Sequence, residues 1–226
     1  MLRFIQRFGR NIHIFGGESN MLVEQLKENY FFAVIRGKDK EDAKNIARYA
    51  IKGGIYNIEI TFSTPKADEV IKELIEEFKD DNKVIVGAGT VMNLDHASLA
   101  KVAGAKFLVS PHFSPEIAKY AVENEVEYSP GCGTVTEVVN ATAAGAKIVK
   151  LFPGGTIGKG FIQAIHGPIP ELNLMPSGGV SASNVKEWKE AGACAVGIGS
   201  ALSAKVATEG YESVTRVAQE FIKALD

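Results

Sequence analysis

Lys150 stands near the end of the apolar run Lys147-Ile148-Val149-Lys150-Leu151-Phe152, where a lysine is a candidate nucleophile. Burying an ammonium is costly, and the neutral amine is the form that attacks a carbonyl carbon to make an imine. The competing explanation is a strand end whose lysine stem covers apolar surface while its head stays wet. A carboxylate in the same enclosure would separate the two. In Asn57-Ile58-Glu59-Ile60-Thr61 the alternation puts Asn57, Glu59 and Thr61 on one face of a strand, with Ile58 and Ile60 on the other. An inward Glu59 serves either a structural ion pair or general acid–base catalysis.

The elements that must carry these residues recur with a βα rhythm. Strands are predicted at Phe31–Arg36, Tyr56–Thr61, Lys83–Gly87, Phe107–Ser110, Glu127–Ser129, Ile148–Phe152, Asn173–Ser177 and Ala195–Ile198. Helices are predicted at Glu41–Lys52, Lys66–Lys79, Leu94–Ala103, Pro115–Asn124, Val135–Ala143, Ser183–Ala191 and Tyr211–Leu225. Glycines at helix ends (Gly53-Gly54, Gly104, Gly145, Gly192) open a repeated phrase of helix end, glycine and strand. No linker interrupts the series. The reading is a single-domain (β/α)8 TIM barrel, with an open doubly wound sheet as the alternative. Alternate strands of a barrel feed one layer of its interior, so Glu59 on the second strand and Lys150 on the sixth face a common cavity.

Barrel chemistry sits at the carboxyl ends of the strands. There the chain carries two glycine-rich segments, Ser177-Gly178-Gly179-Val180-Ser181 and Gly197-Ile198-Gly199-Ser200-Ala201. After the seventh and eighth strands such loops cradle phosphate with backbone N–H groups, though each alone also reads as a tight turn. Thr90, in Gly87-Ala88-Gly89-Thr90, is a hydrogen-bond donor for a substrate carboxylate, and Arg36 supplies charge for that group or for phosphate. His112 and His166 are isolated, and no Asp/Glu/His cluster has ligand spacing, so no metal is expected.

The rest of the composition narrows the field. A net charge of −2 on 226 residues gives no electrostatic case for nucleic acid, and a small neutral-to-acidic partner fits better. Cys132 and Cys194 are too few for a disulfide framework and read as small core residues of a cytoplasmic protein. No apolar run approaches the roughly 20 residues of a membrane span. Residues 1–20, where Arg3, Arg7 and Arg10 interleave with Leu2, Phe4, Ile5 and Phe8, read as an N-terminal extension or packed helix ahead of a domain over 21–226.

The ordered set AVIR, IEITF, GAGTV, VSPHF, PGCGT, KIVKLFPG, PSGGVS and GIGSAL resembles the 2-keto-3-deoxy-6-phosphogluconate (KDPG) and 4-hydroxy-2-oxoglutarate (KHG) aldolases, over about residues 21–226. The resemblance implies a metal-free class I aldolase, usually a homotrimer, that cleaves a 2-keto-3-deoxy-6-phosphosugar acid to pyruvate and glyceraldehyde 3-phosphate. It implies Lys150 as the Schiff-base lysine and Glu59 as the acid/base. Thr90, Pro111 and Phe152 fall on the pyruvate side, Gly178, Gly179, Gly199 and Ser200 on the phosphate loops, and Ser177 near the catalytic water. One departure stands out: Ser63 occupies the position where many members carry an arginine that holds the pyruvate carboxylate. A neutral hydroxyl cannot make a bidentate charged contact, so either Arg36 compensates or the substrate preference differs. A phosphosugar isomerase or epimerase working through Glu59 without an imine, or a non-catalytic phospholigand-binding oligomer, are the other readings.

Overall fold

The computed structural model describes residues 12–225, with side chains from Asn20 onward. Its first half runs α1 (Ile12–Asn29), β1 (Phe31–Ile35), α2 (Lys40–Lys52), β2 (Asn57–Thr61), α3 (Ala67–Glu77), β3 (Ile85–Gly89), α4 (Leu94–Val102), β4 (Phe107–Val109) and α5 (Pro115–Glu123). The second half runs β5 (Glu127–Ser129), β6 (Gly131–Cys132), α6 (Val135–Ala143), β7 (Val149–Leu151), α7 (Gly154–Ile157), α8 (Gly160–His166), β8 (Leu174–Pro176), α9 (Val185–Glu190), β9 (Val196–Ile198), α10 (Ser200–Ser203), α11 (Val206–Glu209) and α12 (Glu212–Lys223).

The strands pair in parallel as β5-β4-β3-β2-β1-β9 and β6-β7-β8. Pro130 alone separates β5 from β6, and its carbonyl accepts the Lys150 N–H at 2.9 Å. A parallel bridge between Ser177 and Gly197 joins the other two edges. The staves thus close into the expected parallel barrel of eight, with β5 and β6 as one interrupted stave.

Caps decide where the helices start. Asp39, Asn93, Ser114 and Thr134 each accept a backbone N–H three residues on, and Thr134 with Glu137 forms a full capping box. The glycines of the repeated phrase end the helices in left-handed geometry at Gly54, Gly104, Gly145 and Gly192. Alternation along the strands then sorts two cores. Ile35, Ile58, Ile60, Ala88, Leu108 and Leu151 face the helices. Phe32, Ile85, Phe107, Val109, Ile148, Met175 and Ala195 fill the barrel floor together with Val23 and Leu26 of α1. The Leu26 carbonyl accepts from Asn57 at 2.9 Å, so α1 plugs the amino end and leaves the carboxyl end for ligands. The basic stretch with Arg3, Arg7 and Arg10 lies outside the described residues.

Three local expectations need correction. β3 begins two residues later than predicted and runs through Gly89, because Asp81 holds Lys83 and Val84 in a turn. Glycines argue against a strand interior only when nothing else needs their space, which here something does. Between β7 and β8 the chain forms α7 and α8, which the predicted helix ranges leave out, since four glycines between Gly154 and Gly160 mask the pattern. Cys132 is buried as expected, but Cys194 is only partly so.

Candidate active site

Glu59 points inward from β2 in register with Val34 and Gly87. Lys150 points inward from β7, flanked in register by Gly131 and Met175. The two staves bring Lys150 Nζ to 3.5 Å from Glu59 Oε1, with side chains only 5% and 1% exposed. Neither Glu59 carboxylate oxygen accepts a hydrogen bond from a described residue. Lys150 is therefore no wet strand end. An amine and an otherwise unpartnered carboxylate within proton-transfer reach, shielded from water, suit addition to a carbonyl and the proton shuttling that must follow.

The remaining candidates gather around this pair. The Phe152 ring centroid lies 5.6 Å from Lys150 Nζ. Gly131, directly across from Lys150, has no side chain because the Pro111 carbonyl group occupies that space: a Cβ would stand 2.3 Å from it. That close approach brings Pro111 over the lysine stave. The 110–114 loop is stapled by Tyr128, whose hydroxyl lies 2.6 Å from Ser110 Oγ and donates to the His112 carbonyl at 3.2 Å. His112 is half-buried in this loop, and His166 Nε2 lies 3.0 Å from the Leu172 carbonyl, so both pack against loops. Thr90 follows Gly89 with φ +53°, a left-handed conformation that a β-branched residue adopts only under the compulsion of its surroundings.

At the opposite side of the mouth, Gly178, Gly179, Gly199 and Ser200 line one cavity of about 310 Å³ together with Val180, Ser181, Gly197 and the start of α10. The two glycine loops are thus a single recess. Arg36, exposed at the end of β1, borders it: a Cβ on Gly199 would lie 3.4 Å from Arg36 Nη1. Ser177 is buried beneath, its Oγ 2.7 Å from where a Gly197 Cβ would be. Ser63 is committed elsewhere, its hydroxyl 2.8 Å from Thr61 Oγ1, which itself donates to the Ile35 carbonyl. Thr61 has a single proton, so Ser63 is the donor in that contact. Its proton is then not turned toward a substrate carboxylate.

The sequence places Gly89, Gly131 and Gly197 at strand ends without showing their contribution as inward glycines, which is the space they leave to Glu59, Pro111 and Ser177. The one signal for them was their period-two spacing along strands. Among the described residues, no helix is long and apolar enough to cross a membrane.

Comparison with known proteins agrees with this geometry. The family model described as "Aldolase: KDPG and KHG aldolase" matches residues 22–217. The 2-dehydro-3-deoxy-phosphogluconate aldolase of Treponema pallidum is 34% identical over 74% of this chain and 79% of its own length. The 2-dehydro-3-deoxy-6-phosphogalactonate aldolase of Escherichia coli is 30% identical over 85% of this chain and 92% of its own. The crystal structure of the Legionella pneumophila KDPG aldolase, with pyruvate captured as a covalent carbinolamine, superposes with a TM-score of 0.79 at 28% identity, covering 86% of this chain and 95% of that one. The chain belongs to the KDPG and KHG aldolase family and is a carbon–carbon lyase.

Proposed function

We propose that the protein is a class I aldolase that cleaves 2-keto-3-deoxy-6-phosphogluconate, or its galacto epimer, to pyruvate and glyceraldehyde 3-phosphate. Cleavage of 4-hydroxy-2-oxoglutarate to pyruvate and glyoxylate is a second activity of the same site. The observation that carries the reading is the buried Lys150–Glu59 pair at 3.5 Å. The Lys150 amine adds to the C2 carbonyl carbon, and the carbonyl oxygen takes a proton to give a carbinolamine. Loss of water then gives the iminium. Removing the C4 hydroxyl proton breaks the C3–C4 bond, its electron pair passing into the iminium to leave an enamine and release the aldehyde. Protonation at C3 and hydrolysis free pyruvate and return the amine. Glu59 moves the protons, and no metal is required.

In this reading Thr90, Pro111 and Phe152 enclose the pyruvate end, and Ser177 lies near the attacking water. Gly178, Gly179, Gly199 and Ser200 hold the phosphate through backbone N–H groups, with Arg36 adding charge at the rim. The domain spans about residues 21–226, and the protein works in the cytoplasm. A homotrimer is supported by exposed Leu94, Leu99, Val102, Val122, Val135 and Val139 on the consecutive helices α4–α6; a sedimentation mass of one chain would refute it. The catalytic reading is tested by borohydride reduction in the presence of pyruvate followed by peptide mass analysis. A pyruvyl adduct on Lys150 is the expected result; no adduct, or one on another lysine, overturns it.

A further inference from the structure

The inward face of β3 above the barrel floor consists of glycine alone, Gly87 and Gly89, and both spaces are taken by side chains of neighbouring strands. A Cβ on Gly87 would stand 2.5 Å from the Phe107 ring, and one on Gly89 would stand 2.2 Å from Glu59 Oε1, 2.6 Å from its Cγ and 2.8 Å from its Cδ. Glu59 is in register with Gly87, so its side chain climbs one inward position along the barrel and comes to rest on Gly89. Gly89 has no left-handed φ, so its backbone would accept alanine, and what is missing is room. No described residue donates a hydrogen bond to the Glu59 carboxylate. Among the described residues, the charge of Lys150 and the packing under the side chain then determine where the acid sits.

We infer that Gly89 is a positioning residue for catalysis: its bare backbone is the seat that holds the Glu59 carboxylate beside Lys150. The inference rests on the proposed imine mechanism, in which Glu59 moves the protons. The test is a double-mutant cycle of Gly89→Ala with Glu59→Ala, reading kcat, KM and the thermal midpoint, with borohydride trapping of pyruvate on the wild type alongside. In Gly89→Ala kcat falls by about 10²-fold, the scale of a 1 Å misplacement, with KM little changed. In the Glu59→Ala background the same substitution causes no further loss of turnover or midpoint, because the atoms it collides with are gone. A folded Gly89→Ala enzyme with wild-type kcat overturns the inference, as does an equal loss in both backgrounds. Should Gly89→Ala fail to fold, the Gly89→Ala/Glu59→Ala protein decides: recovery of folding supports the seat, and continued failure overturns it. If the wild type does not trap pyruvate on Lys150, mechanism and seat fall together; if it does, a negative cycle removes the seat alone.

Discussion

Deleting the amine while keeping its stem tests the pairing on which the chemistry depends. Lys150→Met retains an unbranched apolar chain and removes the charge 3.5 Å from Glu59 Oε1. At an effective dielectric constant of about 20, unit charges at that distance attract by roughly 5 kcal/mol, and desolvation of both groups offsets much of it. The net cost of the substitution is set instead by the carboxylate left behind. Glu59 is 1% exposed and has no described hydrogen-bond donor to take over, so the penalty falls at about 3–5 kcal/mol, the range for a broken buried pair. For a chain of this size that corresponds to a thermal midpoint lower by roughly 6–20 °C. Urea unfolding of the wild type, Lys150→Met, Glu59→Gln and the double variant at neutral pH measures the effect. The double variant recovers much of the loss, because the stranded charge is gone. A Lys150→Met protein as stable as the wild type at neutral pH, or a double variant no more stable than Lys150→Met, refutes the reasoning.

Glu59→Gln preserves shape and lowers turnover by about 10²–10⁴-fold while pyruvate still traps on Lys150 after long incubation; turnover near that of the wild type removes the proton-shuttle role. Arg36→Ala raises KM for the phosphorylated substrate by about 10–100-fold, the worth of one charge-assisted hydrogen bond, and leaves pyruvate trapping unchanged. A matching loss of pyruvate trapping would move Arg36 to the carboxylate end. Burial pushes the Cys132 thiol up to about 12, so iodoacetamide at mildly alkaline pH leaves it unmodified until denaturant is added. Rapid native alkylation, read by peptide mass spectrometry, would contradict the packing around β6.

Much of the site was legible before any coordinates. Strand alternation put Glu59 inward, strand parity sent Lys150 to the same cavity, and the 3.5 Å contact agrees with both. Helix starts at Asn93, Ser114 and Thr134 follow from side chains that cap the backbone three residues on. These features depend on residues a few positions apart, so a linear reading recovers them. Other features depend on what arrives from elsewhere in the chain. Gly89 lies beyond the predicted end of its strand, yet it belongs inside it, where Glu59, thirty positions earlier in sequence, needs its volume. That α1 would plug the barrel floor, that two glycine loops would form one recess beside Arg36, and that the Ile35 carbonyl would take the Thr61 proton and so make Ser63 the donor to Thr61 follow equally from neighbours distant in sequence. Residue type and spacing determined which groups are available and which way they face. Only the closed barrel decided which space each occupies, because two side chains cannot share one volume and the competitor for it comes from another stave.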